Sequence, residues 1–232
     1  MKLDIPIKGI QGWIKGGTLV IRSVSLLKTL SSAVLNGGLR EATAIINQQV
    51  PIDYDDTDPE GFLKAIVRNL DLPPENVIGL MTAVDVRNVA VATQQDQGLT
   101  VSAIVTAGVS NPATAGDTVV SHIKRSGTIN IILLIDGNLT EGCMVNAVKT
   151  ATEAKSAALR ELDIRSRFSG EPASGTTTDA IVVACTGLGE PMKYAGTATK
   201  LGELIGKSVK KAVKEAIEKQ EGITPNGPLI NG

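Results

Sequence analysis

The 232-residue chain has few of the residues that build the commonest metal and redox sites. It contains one histidine, His122, and two cysteines, Cys143 and Cys185. A histidine-rich or HExxH zinc site needs a pair of histidines, so this class of site is excluded. Two cysteines are too few for a disulfide framework, and the first residues lack the apolar core of a secretory signal. We therefore expect a protein of the reducing cytoplasm.

Aromatic residues and net charge are also scarce. One tryptophan, two tyrosines and two phenylalanines are too few for the base-stacking platforms of single-strand nucleic-acid binders. The formal net charge of -1, from 23 basic and 24 acidic residues, offers no field that would attract nucleic acid or an anionic membrane. No apolar stretch approaches the ~20 residues of a membrane-spanning helix. These absences predict a chain that partners neither nucleic acid nor membrane.

The residues that are present suffice for a globular core. Apolar residues make up 42% of the chain and charged residues 20%, a balance that fits neither a disordered chain nor a coiled coil. We find no internal repeat and no shift in composition that would mark a linker. The sequence therefore predicts one domain over residues 1–222, followed by a loose tail of turn-forming residues at 223–232.

Hydrophobic patterning predicts a fold of the α+β class. Residues 128–136 and 179–186 are nearly continuous apolar runs, which are typical of strands buried on both faces. Shorter β-rich runs predict further strands at 18–24, 78–84, 88–93 and 99–109. An N-cap followed by proline predicts a helix over 59–70, and apolar spacing predicts two longer helices later in the chain. We expect a mixed, largely antiparallel sheet packed against the two long helices in a single domain.

The segment 106–117 carries the densest group of candidate ligand-binding positions. It leaves the end of a predicted strand and consists mostly of small and polar residues. Gly108 and Gly116 would let backbone N–H groups approach a ligand closely. An ordinary long hairpin loop is the equally weighted alternative.

The same segment offers a nucleophile and a base. Ser110 and Thr106 carry hydroxyls that can attack a carbonyl, and Asp117 carries a carboxylate that can orient or deprotonate one of them. A catalytic triad would normally add a histidine, and His122 is near in sequence. A serine–histidine mechanism is therefore open but not indicated.

Two further groups of polar residues lie on and after the first long helix. Asn146, Thr150 and Glu153 are spaced to share one stripe, where an amide and a carboxylate could hold a water and polarise a carbonyl. An exposed helix face is the alternative. Arg165 and Arg167 follow the helix and could bind a carboxylate or phosphate in a bidentate manner, or form ordinary surface ion pairs.

Six motifs in fixed order give a more specific signal than any of these residues alone. Between residues 105 and 206 the chain reads VTAGVSNPATAGD, GTINIILLID, MVNAVKTATEAKSAAL, LDIRSRFSG, TDAIVVAC and YAGTATKLGELIG. In these motifs the chain closely resembles the adenosylcobinamide amidohydrolase family, and residues 79–83 resemble it more weakly. It departs from the family pattern at Pro112 and at the loop 176–178, which bears on fine specificity.

The resemblance implies a reaction and a location. The enzyme would cleave the amide that joins a propionyl side chain of the corrin ring to aminopropanol. The products would be adenosylcobyric acid and 1-amino-2-propanol, which returns scavenged cobinamide to cobalamin synthesis in archaea and some bacteria. The corrinoid would be the substrate of a cytoplasmic enzyme, with no cofactor required and no metal site predicted.

The candidate site residues are the polar positions inside the matching motifs. As catalytic residues we predict Asp117, Glu153, Ser110 and Asn111. As substrate-binding residues we predict Thr106, Gly108, Gly116, Asn130, Asn146, Arg165, Arg167 and Lys200. In this hypothesis one of the two carboxylates deprotonates a water or the serine, and an asparagine with loop N–H groups stabilises the tetrahedral oxyanion. The basic side chains would lie near the amide periphery of the corrin ring.

Two other classes of protein fit the same residues. A non-catalytic corrinoid-binding protein would hold cobinamide and leave it intact. A self-processing amidase would cut its own chain before an internal serine or threonine and act on another substrate. Assembly into a homo-oligomer is open at this point.

Overall fold

The structure is a computed structural model and describes residues 1–118 and 127–222. Its strands are β1 (Lys2–Leu3), β2 (Ile10–Lys15), β3 (Thr18–Ser31), β4 (Gly38–Gln49), β5 (Val77–Thr82), β6 (Ala90–Asp96), β7 (Leu99–Ala107), β8 (Pro112–Ala113), β9 (Ile129–Asp136), β10 (Asn138–Leu139), β11 (Gly175–Thr176), β12 (Ala180–Cys185) and β13 (Pro191–Met192). Its helices are α1 (Pro59–Asn69), α2 (Glu141–Glu161) and α3 (Lys200–Glu221).

One mixed sheet of nine strands organises the fold. Its main path runs β1-β2-β3-β12-β9-β7-β6, and β4 and then β5 extend from the other edge of β3. Only β12 with β9 and β4 with β5 pair in parallel, and the other pairs of this sheet are antiparallel.

Strand β3 divides the sheet into two halves. Its first part pairs with β2 and its last part pairs with β12, while β4 follows it on the other edge. The pairing register shifts between Arg22 and Leu27, an irregularity of the kind that bends a strand. The two halves face each other, because Ile45 and Ile78 of one half share a buried cluster with Ile104 and Ile132 of the other.

Helices cover the outer faces of both halves. Alanine-rich faces of α2 and α3 pack on the half formed by β6, β7, β9 and β12. Leu63 and Val67 of α1 pack on the half that contains β4 and β5. The result is four layers: two helices, a half-sheet, a second half-sheet and one helix.

The helix ends follow the signals in the sequence. The Asp58 side chain accepts the backbone N–H of Gly61 at 2.9 Å, and Pro59 opens α1. Thr140 and Thr199 cap α2 and α3 in the same way. Gly222 ends α3 with φ 68°, in the left-handed region that glycine tolerates best.

The predicted fold class is confirmed. The molecule is a single α+β domain with a mixed, largely antiparallel sheet against two long helices. The sequence did not predict β4 or the second half of β3, and it did not predict that α1 covers a separate face. The predicted tail, 223–232, lies outside the described residues.

In the part of the chain that the structure describes, no helix is long and apolar enough to cross a membrane.

Candidate active site

Three buried polar side chains meet at one end of the space between the two half-sheets. Thr106 of β7 and Asn130 of β9 are direct cross-strand partners, and each is 1% exposed. Asn47 reaches them from β4 on the facing half. Its Nδ2 donates to Thr106 Oγ1 at 2.9 Å, and its Oδ1 accepts from Asn130 Nδ2 at 3.0 Å. We call Asn47, Thr106 and Asn130 the inter-sheet triad.

The triad leaves one strong acceptor without a partner. Asn130 Nδ2 also donates to the Met81 carbonyl at 2.8 Å, so both of its hydrogens are used. Asn130 Oδ1 is buried and has no hydrogen-bond partner among the described residues. Leaving such an oxygen unpaired costs about 1–3 kcal/mol, so a water or ligand donor at this point would stabilise it.

Asn111 is a second buried carboxamide with a free oxygen. The side chain is 2% exposed, and its Nδ2 donates to Thr177 Oγ1 at 2.5 Å. Its Oδ1 also lacks a partner in the described chain, and it lies so close to Gly127 that a side chain there would overlap it. The two free carboxamide oxygens therefore flank the segment that leads into β9.

A group of threonine hydroxyls holds that segment in place. Thr178 donates to the Gly127 carbonyl at 2.9 Å, and Thr176, whose oxygen lies 3.1 Å from the same carbonyl, also contacts the Asp179 carboxylate at 2.5 Å. Thr178 also shares a hydrogen bond with Thr128 at 2.8 Å. The predicted departure from the family pattern at 176–178 thus falls on residues that contact the start of β9.

An ion pair anchors the same region to the helix layer. Asp179 accepts a charged hydrogen bond from Lys155 of α2, and its other oxygen accepts the Ile129 N–H at 3.0 Å. The pair lines a cavity of about 110 Å³ together with Ser32, Thr152 and Ile181. Neither Asp179 nor Lys155 was predicted as a site residue.

Asp117 forms hydrogen bonds that hold its own loop in place. Its Oδ2 accepts the Thr114 N–H at 2.7 Å and the Ser166 hydroxyl at 2.5 Å. The hydrogen bond from Ser166, with smaller contributions from Ser169 and the Thr114 N–H, lowers the pKa of Asp117 below its usual range. A carboxylate of lowered pKa is a weaker general base.

The rest of the predicted loop adjoins the triad. Gly108 is buried, and its N–H donates to the Thr128 carbonyl at 3.1 Å. Ser110 is half-buried beside Asn111, whereas Gly116 is exposed with φ 99°. The structure therefore brings Gly108, Asn111 and the triad to one end of β7 and β9. His122 lies outside the described residues.

The predicted residues on the helices have other surroundings. Glu153 is exposed, pairs with Lys149 at 2.9 Å, and lines a groove of about 370 Å³ between α2 and α3. Asn146 is half-buried on the same helix, but Thr150 is buried and donates to the Ala195 carbonyl at 2.8 Å. Thr150 and Glu153 therefore line the same groove, and the three residues do not form an ordinary exposed helix face.

The predicted basic residues lie at the surface. Lys200 contacts Asp96 and Glu203, each at 2.8 Å, and these hydrogen bonds raise its pKa. Arg165 is exposed and pairs with Asp163 at 2.8 Å. Arg167 is exposed, and its backbone N–H donates to the Pro112 carbonyl at 3.0 Å, which places it beside the Asn111 loop.

Groups of three or more His, Cys, Asp or Glu that could hold a metal ion do not occur within 1–118 and 127–222. The groups that do converge are carboxamides and hydroxyls, which recognise neutral polar ligands by hydrogen bonds.

Fold and candidate site together define an α+β domain in which buried carboxamides and hydroxyls converge at one end of β7 and β9. Comparison with known sequences gives the family. The chain belongs to the adenosylcobinamide amidohydrolase family, whose sequence model matches residues 7–225. The resemblance found in the six motifs is thereby confirmed, and the family is one of hydrolases.

Individual relatives agree with this assignment. An adenosylcobinamide amidohydrolase of Methanosarcina mazei is 34% identical over 218 residues, which cover 90% of this chain and 98% of that protein. An uncharacterised protein of Methanocaldococcus jannaschii is 34% identical over 227 residues, covering 89% of this chain and 88% of the relative.

Among solved structures, the chain is similar to the PH0078 protein from Pyrococcus horikoshii OT3, with a TM-score of 0.44 and 16% identity. The match covers 90% of this chain and 78% of that one. A likeness of this size adds nothing to the fold described above.

Proposed function

We propose that this chain hydrolyses adenosylcobinamide at the amide between a propionyl side chain of the corrin ring and aminopropanol. The products are adenosylcobyric acid and 1-amino-2-propanol, and the reaction serves cobalamin salvage in the cytoplasm. Family membership and the printed name of the Methanosarcina relative support the substrate. No cofactor other than the corrinoid substrate is part of the proposal.

The observation that carries the proposal is the pair of buried carboxamide oxygens, on Asn111 and Asn130, that have no hydrogen-bond partner within 1–118 and 127–222. Hydrolysis adds water across the amide: the water oxygen bonds to the carbonyl carbon, the C–N bond breaks, and the nitrogen gains a proton. A site for this reaction must hold the amide N–H, donate to the carbonyl oxygen and take a proton from the water. Carboxamide and hydroxyl groups at the start of β9 supply acceptors and donors for the first two tasks.

The general base is proposed to be one of the two predicted carboxylates, Asp117 or Glu153, acting on water or on Ser110. Their surroundings differ, since Asp117 is held by Ser166, whereas Glu153 faces the groove between α2 and α3 on the outer side of the half-sheet. Asn130 lies on the inner side of that half-sheet, so Glu153 could act only on an amide bound in the groove. Asp117→Asn and Glu153→Gln separate the two roles. If both variants release aminopropanol at near wild-type rates, the base assignment is wrong.

Glu161→Gln is the matched control for Glu153→Gln. Glu161 is another exposed carboxylate of α2, and it pairs with Lys210 and Lys214 at 2.8 and 3.0 Å. Because it lies outside the candidate site, its variant is expected to retain wild-type turnover.

The corrin periphery is proposed to contact Arg165, Arg167 or Lys200. Arg167 has the best support, because its backbone is hydrogen-bonded to Pro112, next to Asn111. Loss of this guanidinium is expected to raise KM more than it lowers kcat, since it would bind a part of the substrate that does not react.

Mass spectrometry of adenosylcobinamide incubated with the purified chain tests the function directly. Release of 1-amino-2-propanol is expected, and a parallel incubation with a chelator shows whether a metal is needed. Tight binding with intact cobinamide would instead identify a non-catalytic corrinoid carrier. Two fragments in the intact mass of the purified protein would identify a self-processing amidase.

A further inference from the structure

Asn130 has a hydrogen-bonding role opposite to the one predicted from its position in the motif. The sequence places it among the asparagines that could donate to a tetrahedral oxyanion. In the structure both hydrogens of its Nδ2 are taken, by the Asn47 Oδ1 and by the Met81 carbonyl. The Met81 carbonyl can only accept, so it fixes which end of the carboxamide faces it. Asn130 therefore presents an oxygen.

Thr106 complements this oxygen. Its Oγ1 accepts a hydrogen bond from Asn47, which leaves the hydroxyl hydrogen for another acceptor. Thr106 and Asn130 stand opposite each other on neighbouring antiparallel strands, where Cβ atoms are about 4.5–5.5 Å apart. The Thr106 hydroxyl and the Asn130 oxygen are thus a donor and an acceptor on neighbouring strands of the same half-sheet.

Building on the proposed function, we infer that the inter-sheet triad recognises the scissile amide: Asn130 Oδ1 accepts its N–H, and Asn47, which also donates to Thr106, holds Asn130 in this orientation. The substrate class is a secondary amide on a flexible side arm. Burial favours the pairing, because hydrogen bonds are stronger where water does not compete.

The arm must also reach the triad. Thr106 and Asn130 are each 1% exposed, so the proposal requires the adjoining loop at 108–111 to move when the arm binds. Val109 and Ser110 of this loop are only half-buried.

The experiment compares two corrinoid substrates that differ by one atom. The first is adenosylcobinamide, and the second is its ester analogue, in which oxygen replaces the amide nitrogen. The ester has no N–H to donate to Asn130. Asn130→Ala is expected to lower kcat/KM for the amide by about 10- to 100-fold and for the ester by less than about 3-fold.

The positioning role of Asn47 is tested in the same way. Asn47→Ala is expected to lower kcat/KM for the amide more than for the ester, because Asn130 loses one of its two fixed acceptors. Gln48→Ala is the matched control. Gln48 is a buried polar residue of the same strand, but it contacts Thr18 and the Gln49 carbonyl instead of the triad. Its variant is expected to change both substrates by the same factor.

The outcomes separate this inference from the proposed function. If the wild-type chain releases no aminopropanol from adenosylcobinamide, the proposed function fails. If it does, and Asn130→Ala changes amide and ester equally, the inference is overturned, because a purely structural role affects both. Should Asn130→Ala fail to fold by circular dichroism, Asn130→Ser is measured against the same criterion.

Discussion

The Lys155 ammonium of α2 and the Asp179 carboxylate before β12 form an ion pair whose side chains are 11% and 15% exposed. Asp179 also accepts the N–H groups of Ile129 and Thr176, so one carboxylate joins the helix layer to the start of β9 and β12. The pair therefore supports the segment that carries the candidate site without forming part of it.

Removing one partner of this pair is expected to destabilise the fold by about 3 kcal/mol, because it leaves a partly buried charge without compensation. Urea unfolding of Lys155→Met, Asp179→Asn and the double variant measures this. The double variant should lose less free energy of unfolding than the sum of the single variants. Lys149→Met breaks the exposed pair with Glu153 and should cost less than about 1 kcal/mol. Strict additivity would show that the pair has no energetic coupling.

Gly127→Ala tests the close approach at the start of β9. A Cβ at this position would overlap Asn111 Oδ1 and would lie 2.7 Å from the Gly108 carbonyl oxygen and 2.8 Å from the Ser110 nitrogen. We expect a destabilisation of about 1–3 kcal/mol and a loss of aminopropanol release, since two of these atoms are backbone and cannot rotate away. Gly142→Ala meets no atom within 4 Å and serves as the control. Wild-type turnover by Gly127→Ala would remove Asn111 from the site.

Two glycines of α3 are expected to respond in opposite directions to alanine. A Cβ on Gly202 would overlap the Gly196 carbonyl and lie 2.7 Å from the Ala195 carbonyl oxygen, whereas one on Gly206 meets nothing within 4 Å. Gly202→Ala should therefore lower the melting temperature. Gly206→Ala should raise it, because alanine is more favourable than glycine in a helix by about 1 kcal/mol. Equal shifts in both variants would show that α3 is not held against the loop at Ala195 and Gly196.

The strands that the sequence predicts well are those buried on both faces. In β9 the odd-numbered residues Ile131 and Leu133 pack under the helices, and the even-numbered Ile132 and Leu134 pack between the half-sheets. A continuous apolar run results, and such a run is easily recognised. Strand β4 lacks this signal. It begins with exposed residues such as Arg40 and ends with Asn47 and two glutamines.

The residues of the candidate site are predictable only where they fall inside the matching motifs. Thr106 and Asn130 lie in the matching motifs, but Asn47 is 59 residues from the first and 83 from the second. No local sequence feature distinguishes Asn47 from other strand asparagines, because its contacts form only when the two half-sheets face each other. Asp117 was predicted from its motif, but its pairing with Ser166, 49 residues away, was not.

The stability of the loop at Asp117 is expected to depend on pH in the acid range. The hydrogen bond from Ser166 lowers the folded-state pKa of Asp117 below its ordinary value of 3.8. A carboxyl whose pKa is lower in the folded state stabilises the protein above its unfolded-state pKa, and that contribution is lost as the pH falls through the folded-state pKa. Asp117→Asn should therefore lower the melting temperature at pH ~7, and the gap from wild type should narrow from pH ~4 downwards. Asp53→Asn, in the exposed loop before α1, controls for the loss of a surface charge. A gap that stays constant or widens in acid would show that the Ser166 contact does not favour the ionised carboxylate.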